Sequence, residues 1–170
     1  MKLSADLEKA FNEQITLEFS ASAFYRQLAI ELDCRDLPGM AAWLRHQADE
    51  EIVHANKFID HLIDRDNHPT IGAADAPKVA SGVSVLDVFQ AALEHEQLVS
   101  ESIRGLVRDT EKEGDLDSRP LLNWFLSEQI EDEATVSEII GRVELINDDG
   151  PGLLRLDQEL GARPARGTED

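Results

Sequence analysis

Apolar residues recur at steps of three and four along four long stretches of the chain, roughly residues 4–33, 38–65, 84–112 and 118–147, and nothing between them alternates as a strand would. The pattern predicts an all-α protein. Boundary chemistry agrees with it. Ser4 can cap the first helix, and Pro38 suits the first turn of the second. Ser84 with Asp87 approximates a capping box flanked by a Val83–Val88 staple, and Ser118 with Pro120 opens the fourth helix. Gly105 and Gly141 fall inside helices, where each costs about 1 kcal/mol relative to alanine. Close helix contacts would account for them.

Only a few residues around Asp36 join the first two helices, and a few around Gly114 join the last two, so each pair is expected to be antiparallel. The second and third are joined by residues 66–82, which reach about 55 Å when extended, against about 40 Å for a 27-residue helix. That connection can cross the whole bundle. After Asn147 a turn leads to a short segment with Leu153, Leu156 and Leu160 on one face, expected to form a fifth helix. It is too short to be stable alone, so its apolar face needs a partner in the same subunit or in a neighbour. The Arg/Gly/Pro-rich end after Gly161 has a disordered composition, giving one domain over 1–161 and a disordered tail over 162–170.

The core-facing seam of each helix is apolar toward its ends and polar near its midpoint. The breaks are Glu18 in the first helix, Glu51 and His54 in the second, Glu96 in the third, and Gln129 and Asp132 in the fourth. In an antiparallel bundle midpoints share one level, so these side chains should converge. Any one of them could be a satisfied core polar residue. Four carboxyls packed together would repel or take up protons, and a pair of bound cations removes both problems. An oxygen-rich set with one imidazole suits iron or manganese better than a structural zinc.

Charge narrows the partners. With 35 acidic against 16 basic residues, a net −19, and no run of five lysines or arginines, direct binding to nucleic acid or to an anionic membrane is disfavoured. Cations fit such a chain, although much of the charge can be a solvated surface. The single Cys34 cannot form an internal bridge and the first residues lack the apolar core of a signal peptide, which points to the cytoplasm. No apolar run approaches the roughly 20 residues of a membrane span.

Over nearly its whole length the chain resembles the non-haem bacterial ferritins, of the ferritin-like four-helix bundle with one long crossover and a short C-terminal fifth helix. The resemblance is carried by Leu17-Glu18-Phe19-Ser20-Ala21, by Asp49-Glu50-Glu51-Ile52-Val53-His54-Ala55, by His95-Glu96-Gln97 and by Trp124 to Glu133. Members of the wider di-iron carboxylate class build their centre from a Glu on each of two helices and a Glu-x-x-His on each of the others. The resemblance implies an iron site of Glu18, Glu51 and His54, with Glu51 bridging to a second iron completed by Glu96, and Gln129 beside the pair. Gln129-x-x-Asp132 stands where bacterioferritins have Glu-x-x-His, and Asp132 replaces the Glu usual in bacterial ferritins. Ile52 and Val53 occupy the stretch where bacterioferritins carry the haem-binding Met, so no haem is expected. Animal ferritins line an iron channel with acids in the first turn of the fourth helix, where this chain has Arg119-Pro120-Leu121-Leu122.

Tyr25 lies two turns from Glu18 on the same seam, where the resemblance implies an electron donor to the irons and the residue alone a buried tyrosine with a hydrogen-bond partner. Glu50, Glu128 and Glu131 each precede a seam residue by one position and are turned about 100° from it. They would form a third iron site on an inner wall, or an ordinary acidic face. The expected function is that of an iron-storage ferritin with ferroxidase activity, a homo-oligomer of about 24 subunits that takes Fe(II) and oxygen or hydrogen peroxide and stores ferric mineral. Other readings are a non-catalytic metal buffer or interaction bundle, and a DNA-protecting mini-ferritin, whose iron site spans two subunits and whose DNA-binding forms often carry a basic tail. A rubrerythrin-like peroxidase would need paired Cys-x-x-Cys motifs, and the chain has one cysteine.

Overall fold

The computed structural model describes residues 1–164. It is all-helical, with α1 (Ala5–Asp33), α2 (Pro38–Asp64), α3 (Val85–Glu113), α4 (Arg119–Ile146) and α5 (Gly150–Ala162), and no strand among the described residues. The expected boundaries hold to within a residue or two. Ser4 accepts from the Leu7 amide, and Ser84 and Asp87 form a complete capping box. Gly114 ends α3 in the left-handed conformation at φ 71°, with the Asp115 amide donating back to the Thr110 carbonyl at 2.9 Å.

Two details depart from the sequence reading. Ser118 precedes α4 but does not cap it. Its hydroxyl donates to Asp115 and accepts from Arg65 Nη1 at 3.2 Å, within a buried cluster that ties the end of α2 to the α3–α4 turn. A Cβ at Gly105 or Gly141 would meet nothing within 4 Å, so close contacts inside the subunit do not explain these glycines.

α1 packs chiefly on α2 and α3 on α4, while α1 also meets α3. The crossover is laced along α1. Asn67 accepts from the Leu3 amide at 2.8 Å, Asn12 from Thr70 at 2.7 Å, Thr16 from Gly72 at 2.8 Å, and Glu31 from Gly82 at 3.1 Å. Acceptors that climb from residue 12 to residue 31 span about 28 Å of helix, so these polar groups hold the crossover along most of the bundle's length. The core divides into two apolar clusters. One holds Leu28, Leu32, Met40, Leu44, Phe89 and Ile139, and the other Phe11, Ile15, Phe58, Leu62, Ile103 and Phe125.

α5 finds its partner in the same subunit. Leu156 and Leu160 are buried in the first cluster, and α5 lies mainly on α2. Leu37, at the N-cap of α2, offers no side-chain cap, and the buried Asp157 carboxylate of α5 accepts from the Met40 amide at 2.7 Å instead. An acid from a distant part of the chain thus meets the positive end of α2. The fit requires glycine: a Cβ on Gly39 would lie 2.0 Å from the Asp157 carbonyl oxygen, and one on Gly161 would lie 2.8 Å from the Gly39 Cα. The expected tail at 162–170 falls only partly on described residues. Ala162 is still helical and Arg163 lies 3.3 Å from Glu138, while residues 165–170 of that expectation lie outside the described residues.

This docking is testable. Gly39→Ala should force α5 off α2, exposing it to limited proteolysis and removing about 2–5 kcal/mol of stability through the lost burial of Leu156 and Leu160. Asp157→Asn keeps an acceptor for Met40 and should cost only about 1 kcal/mol. An unchanged digestion pattern and melting curve for Gly39→Ala would contradict the assignment.

Candidate metal centre

Between the two apolar clusters lies a polar layer contributed by α1 to α4. Gln14, Glu18, Glu51, His54, Glu96, Gln129 and Asp132 are all buried, Glu18 completely. One ligand atom from each of Glu18, Glu51 and His54 lies within 4.8 Å of the others, and this is the metal-capable set of three among the described residues. Helical spacing places Glu51 and His54 on one face of α2, where His54 Nδ1 lies 3.2 Å from Glu51 Oε2. His54 is gripped by Trp124 and Phe125, both edge-on to its ring at centroid distances of 5.6 and 5.4 Å. Glu18 Oε1 accepts from Gln14 at 2.7 Å, but its buried Oε2 has no hydrogen-bond partner. An unpaired carboxylate oxygen facing a carboxylate and an imidazole is the donor set a hard or borderline cation would complete.

Glu96 stands outside that tight set and is coupled to it by charge. It accepts from the Tyr25 hydroxyl and, through Oε2, from Gln129 Nε2 at 3.0 Å. Tyr25 therefore has the hydrogen-bond partner expected of a buried tyrosine. Gln129 Nε2 also reaches Ser100 Oγ at 3.3 Å, and Ser100 Oγ donates to Glu133 Oε1 at 2.5 Å. The charge of Asp132 is felt by both Glu51 and Tyr25, which puts it at the level of the layer. Glu50 acts on Glu51 in the same way and is bonded to Gln47 at 2.7 Å. Glu128 is half-buried and Glu131 exposed, and Glu50, Glu128 and Glu131 are not drawn into a set of converging ligand atoms.

Electrostatics mark the layer as unbalanced. Burial, and then the neighbouring Glu51 charge, hold the Glu18 carboxyl well above its ordinary range. Burial and the Glu96 charge do the same to Glu51, and burial raises Glu96. The one buried arginine or lysine among the described residues, Arg65, is paired with Asp115 at the bundle end. Next to the layer, the His95 imidazole is stacked on Phe24 at 4.8 Å, and burial pushes it down to about 4. Gln14, Ser100 and Glu133 join the site without being among the candidate residues of the sequence. The signal for the last two was the four-residue spacing of Ser100 after Glu96 and of Glu133 after Gln129.

The chain is similar to known proteins over nearly its whole length. The family model for the ferritin-like domain matches residues 8–146. The chain is 33% identical over 158 residues to the bacterial non-heme ferritin of Escherichia coli O157:H7, covering 93% of this chain and 95% of that protein. It is 35% identical over 158 residues to the bacterial non-heme ferritin of Campylobacter jejuni, covering 93% and 94%. Among solved structures, an open-pore ferritin from the archaeon Archaeoglobus fulgidus superposes with a TM-score of 0.92 at 32% identity, covering 96% of this chain and 100% of that one.

The raised carboxyls fix the sign of a pH dependence. Their folded pKa lies above the unfolded value near 4.5, so the native state binds more protons in the window above 4.5. Their stabilising contribution is complete below that pH and is lost as pH rises through the folded values. In chelator-treated protein Glu18→Gln should therefore raise stability at pH 7 by about 1 kcal/mol or more, and the gain should vanish toward pH 4.5. A lower melting temperature for Glu18→Gln at pH 7 would contradict the description of the layer.

Proposed function

Because this chain belongs to the ferritin family, we propose that it is an iron-storing ferritin that oxidises Fe(II) at an intra-subunit di-iron site. The observation that supports this most directly is the buried convergence of Glu18, Glu51 and His54, in which one Glu18 carboxylate oxygen has no hydrogen-bond partner. Fe(II) arrives as substrate. Glu18, Glu51 and His54 hold one ion, and Glu51 is shared with a second ion completed by Glu96, beside Gln129 and Asp132. Two Fe(II) supply the two electrons that reduce dioxygen to hydrogen peroxide, or peroxide to water, and Fe(III) then moves inward to be stored as ferric mineral. The carboxylates supply negative charge and fixed oxygens, and the metal supplies the redox chemistry. Protons held by the raised carboxyls leave as the ions bind.

Tyr25, whose hydroxyl donates to Glu96, would serve as an electron donor to the pair. Glu50, Glu128 and Glu131 form the weaker third site through which iron passes between the centre and the mineral. The subunit assembles into a hollow shell of about 24 copies and works in the cytoplasm. No helix among the described residues is long and apolar enough to cross a membrane. Ligands drawn from one chain fit this reading better than a mini-ferritin, whose site needs two.

Rapid mixing of anaerobic protein with Fe(II) and then air separates a ferroxidase from a passive metal buffer. Fast oxygen uptake over the first two irons per subunit is expected, with Glu51→Ala reducing that phase by about 100-fold or more while the helical fold survives. Replacing Glu50, Glu128 and Glu131 together by Gln should spare the fast phase and slow later turnover. Uptake no faster than buffer would leave only metal buffering.

A further inference from the structure

Gln129 has a side-chain amide whose two ends do opposite things: the NH2 donates and the carbonyl accepts. Which end faces the metal layer decides whether the residue repels a cation or offers it an oxygen. The surrounding groups fix that choice. The Glu96 backbone carbonyl, 3.2 Å from Gln129 Nε2, can only accept, and Glu96 Oε2 lies 3.0 Å from the same nitrogen. Ser100 Oγ, at 3.3 Å, could either give or take a proton, but its single proton goes to Glu133 Oε1 at 2.5 Å.

A buried serine inside a helix ordinarily turns its hydroxyl back to the carbonyl four residues earlier, here that of Glu96. Ser100 does not, since Glu133 takes its proton and the Gln129 amide takes that carbonyl. The spacing is reciprocal: Glu96 and Ser100 are four apart on α3, and Gln129 and Glu133 are four apart on α4, so each pair shares a helix face.

We propose that Ser100 and Glu133 are positioning residues that lock the Gln129 amide, keeping its NH2 against α3 and leaving its carbonyl oxygen as the acceptor available to the second cation. Glu96 alone would hold the amide in the metal-free protein. Once Glu96 turns its oxygens to a cation, its hold on the amide weakens, and Ser100 keeps the orientation because neither it nor Glu133 is called on as a ligand. The inference rests on the two-ion reading above and deepens it by assigning the order of the second site to a pair of groups outside the ligand set.

Co(II) titration of the full-length assembled protein, followed by visible absorption, tests it without relying on turnover. The unmodified protein should take two Co(II) per subunit tightly, ahead of any weaker binding at Glu50, Glu128 and Glu131. Ser100→Ala should keep the first with unchanged affinity and bind the second about tenfold more weakly, the scale of one lost hydrogen bond to a charged or ligating group. Ser100→Thr keeps the hydroxyl and should restore the second ion. Glu133→Leu removes the acceptor that takes the Ser100 proton and should weaken the second ion in the same direction as Ser100→Ala. Thermal melts of the metal-free variants read out any general loss of packing. Equal weakening of both ions by Ser100→Ala, an unchanged second ion, or no recovery with Thr would each overturn the proposal. An unmodified protein that takes fewer than two Co(II) would overturn the two-ion reading and the proposal with it, a result seen before any variant is compared.

Discussion

Glu18, Glu51 and Glu96 are buried in one layer with Asp132 close by, and no buried lysine or arginine accompanies them there. Transferring carboxylates into such a place costs several kcal/mol each unless they are neutralised. In the metal-free protein part of that cost is avoided by proton uptake, which is why burial and mutual repulsion raise all three carboxyls. Two divalent cations would neutralise the layer more completely, so the interaction that destabilises the empty protein is the one that favours binding. A fold that places this repulsion at its centre needs rigid support on both sides, and the two apolar clusters provide it.

The supports act mostly on helix position rather than on the ligands themselves. Asp157 and Gly39 hold the start of α2 against α5, and the Arg65–Asp115–Ser118 cluster holds its end to the α3–α4 turn. α2 carries Glu51 and His54, so fixing both its ends fixes the part of the set with the strictest geometry. The crossover is bonded along α1 through Asn12, Thr16 and Glu31, which steadies the helix that carries Glu18. Trp124 and Phe125 set the plane of the imidazole, and Lys57 covers the Trp124 ring at 4.4 Å from its centroid.

Much of this was legible in the sequence because helices impose a strict period. Midpoint breaks at Glu18, Glu51, Glu96 and Gln129 stand out against Phe11, Leu44, Phe89 and Phe125 on the same seams, and equal helix lengths put the breaks at one level. Ser4, Ser84 and Gly114 were readable as caps because their partners lie within one turn. Contacts between distant residues were not. Nothing in the sequence pairs Asp157 with the Met40 amide, Asn67 with Leu3, or Ser118 with Arg65. The Ser100–Glu133 link likewise depends on how α3 and α4 face each other, which periodicity leaves open. The glycines at 39 and 161 gained a reason from the close α2–α5 crossing, whereas those at 105 and 141 gained none.

The central claim is that the layer between the two apolar clusters is where iron binds as a pair. Crystals soaked in Fe(II) without oxygen, measured on either side of the iron absorption edge, address it directly. The account predicts two anomalous peaks per subunit inside the bundle, one among Glu18, Glu51 and His54 and the other between Glu51 and Glu96. Peaks confined to the acidic surface, with none inside the bundle, would contradict it.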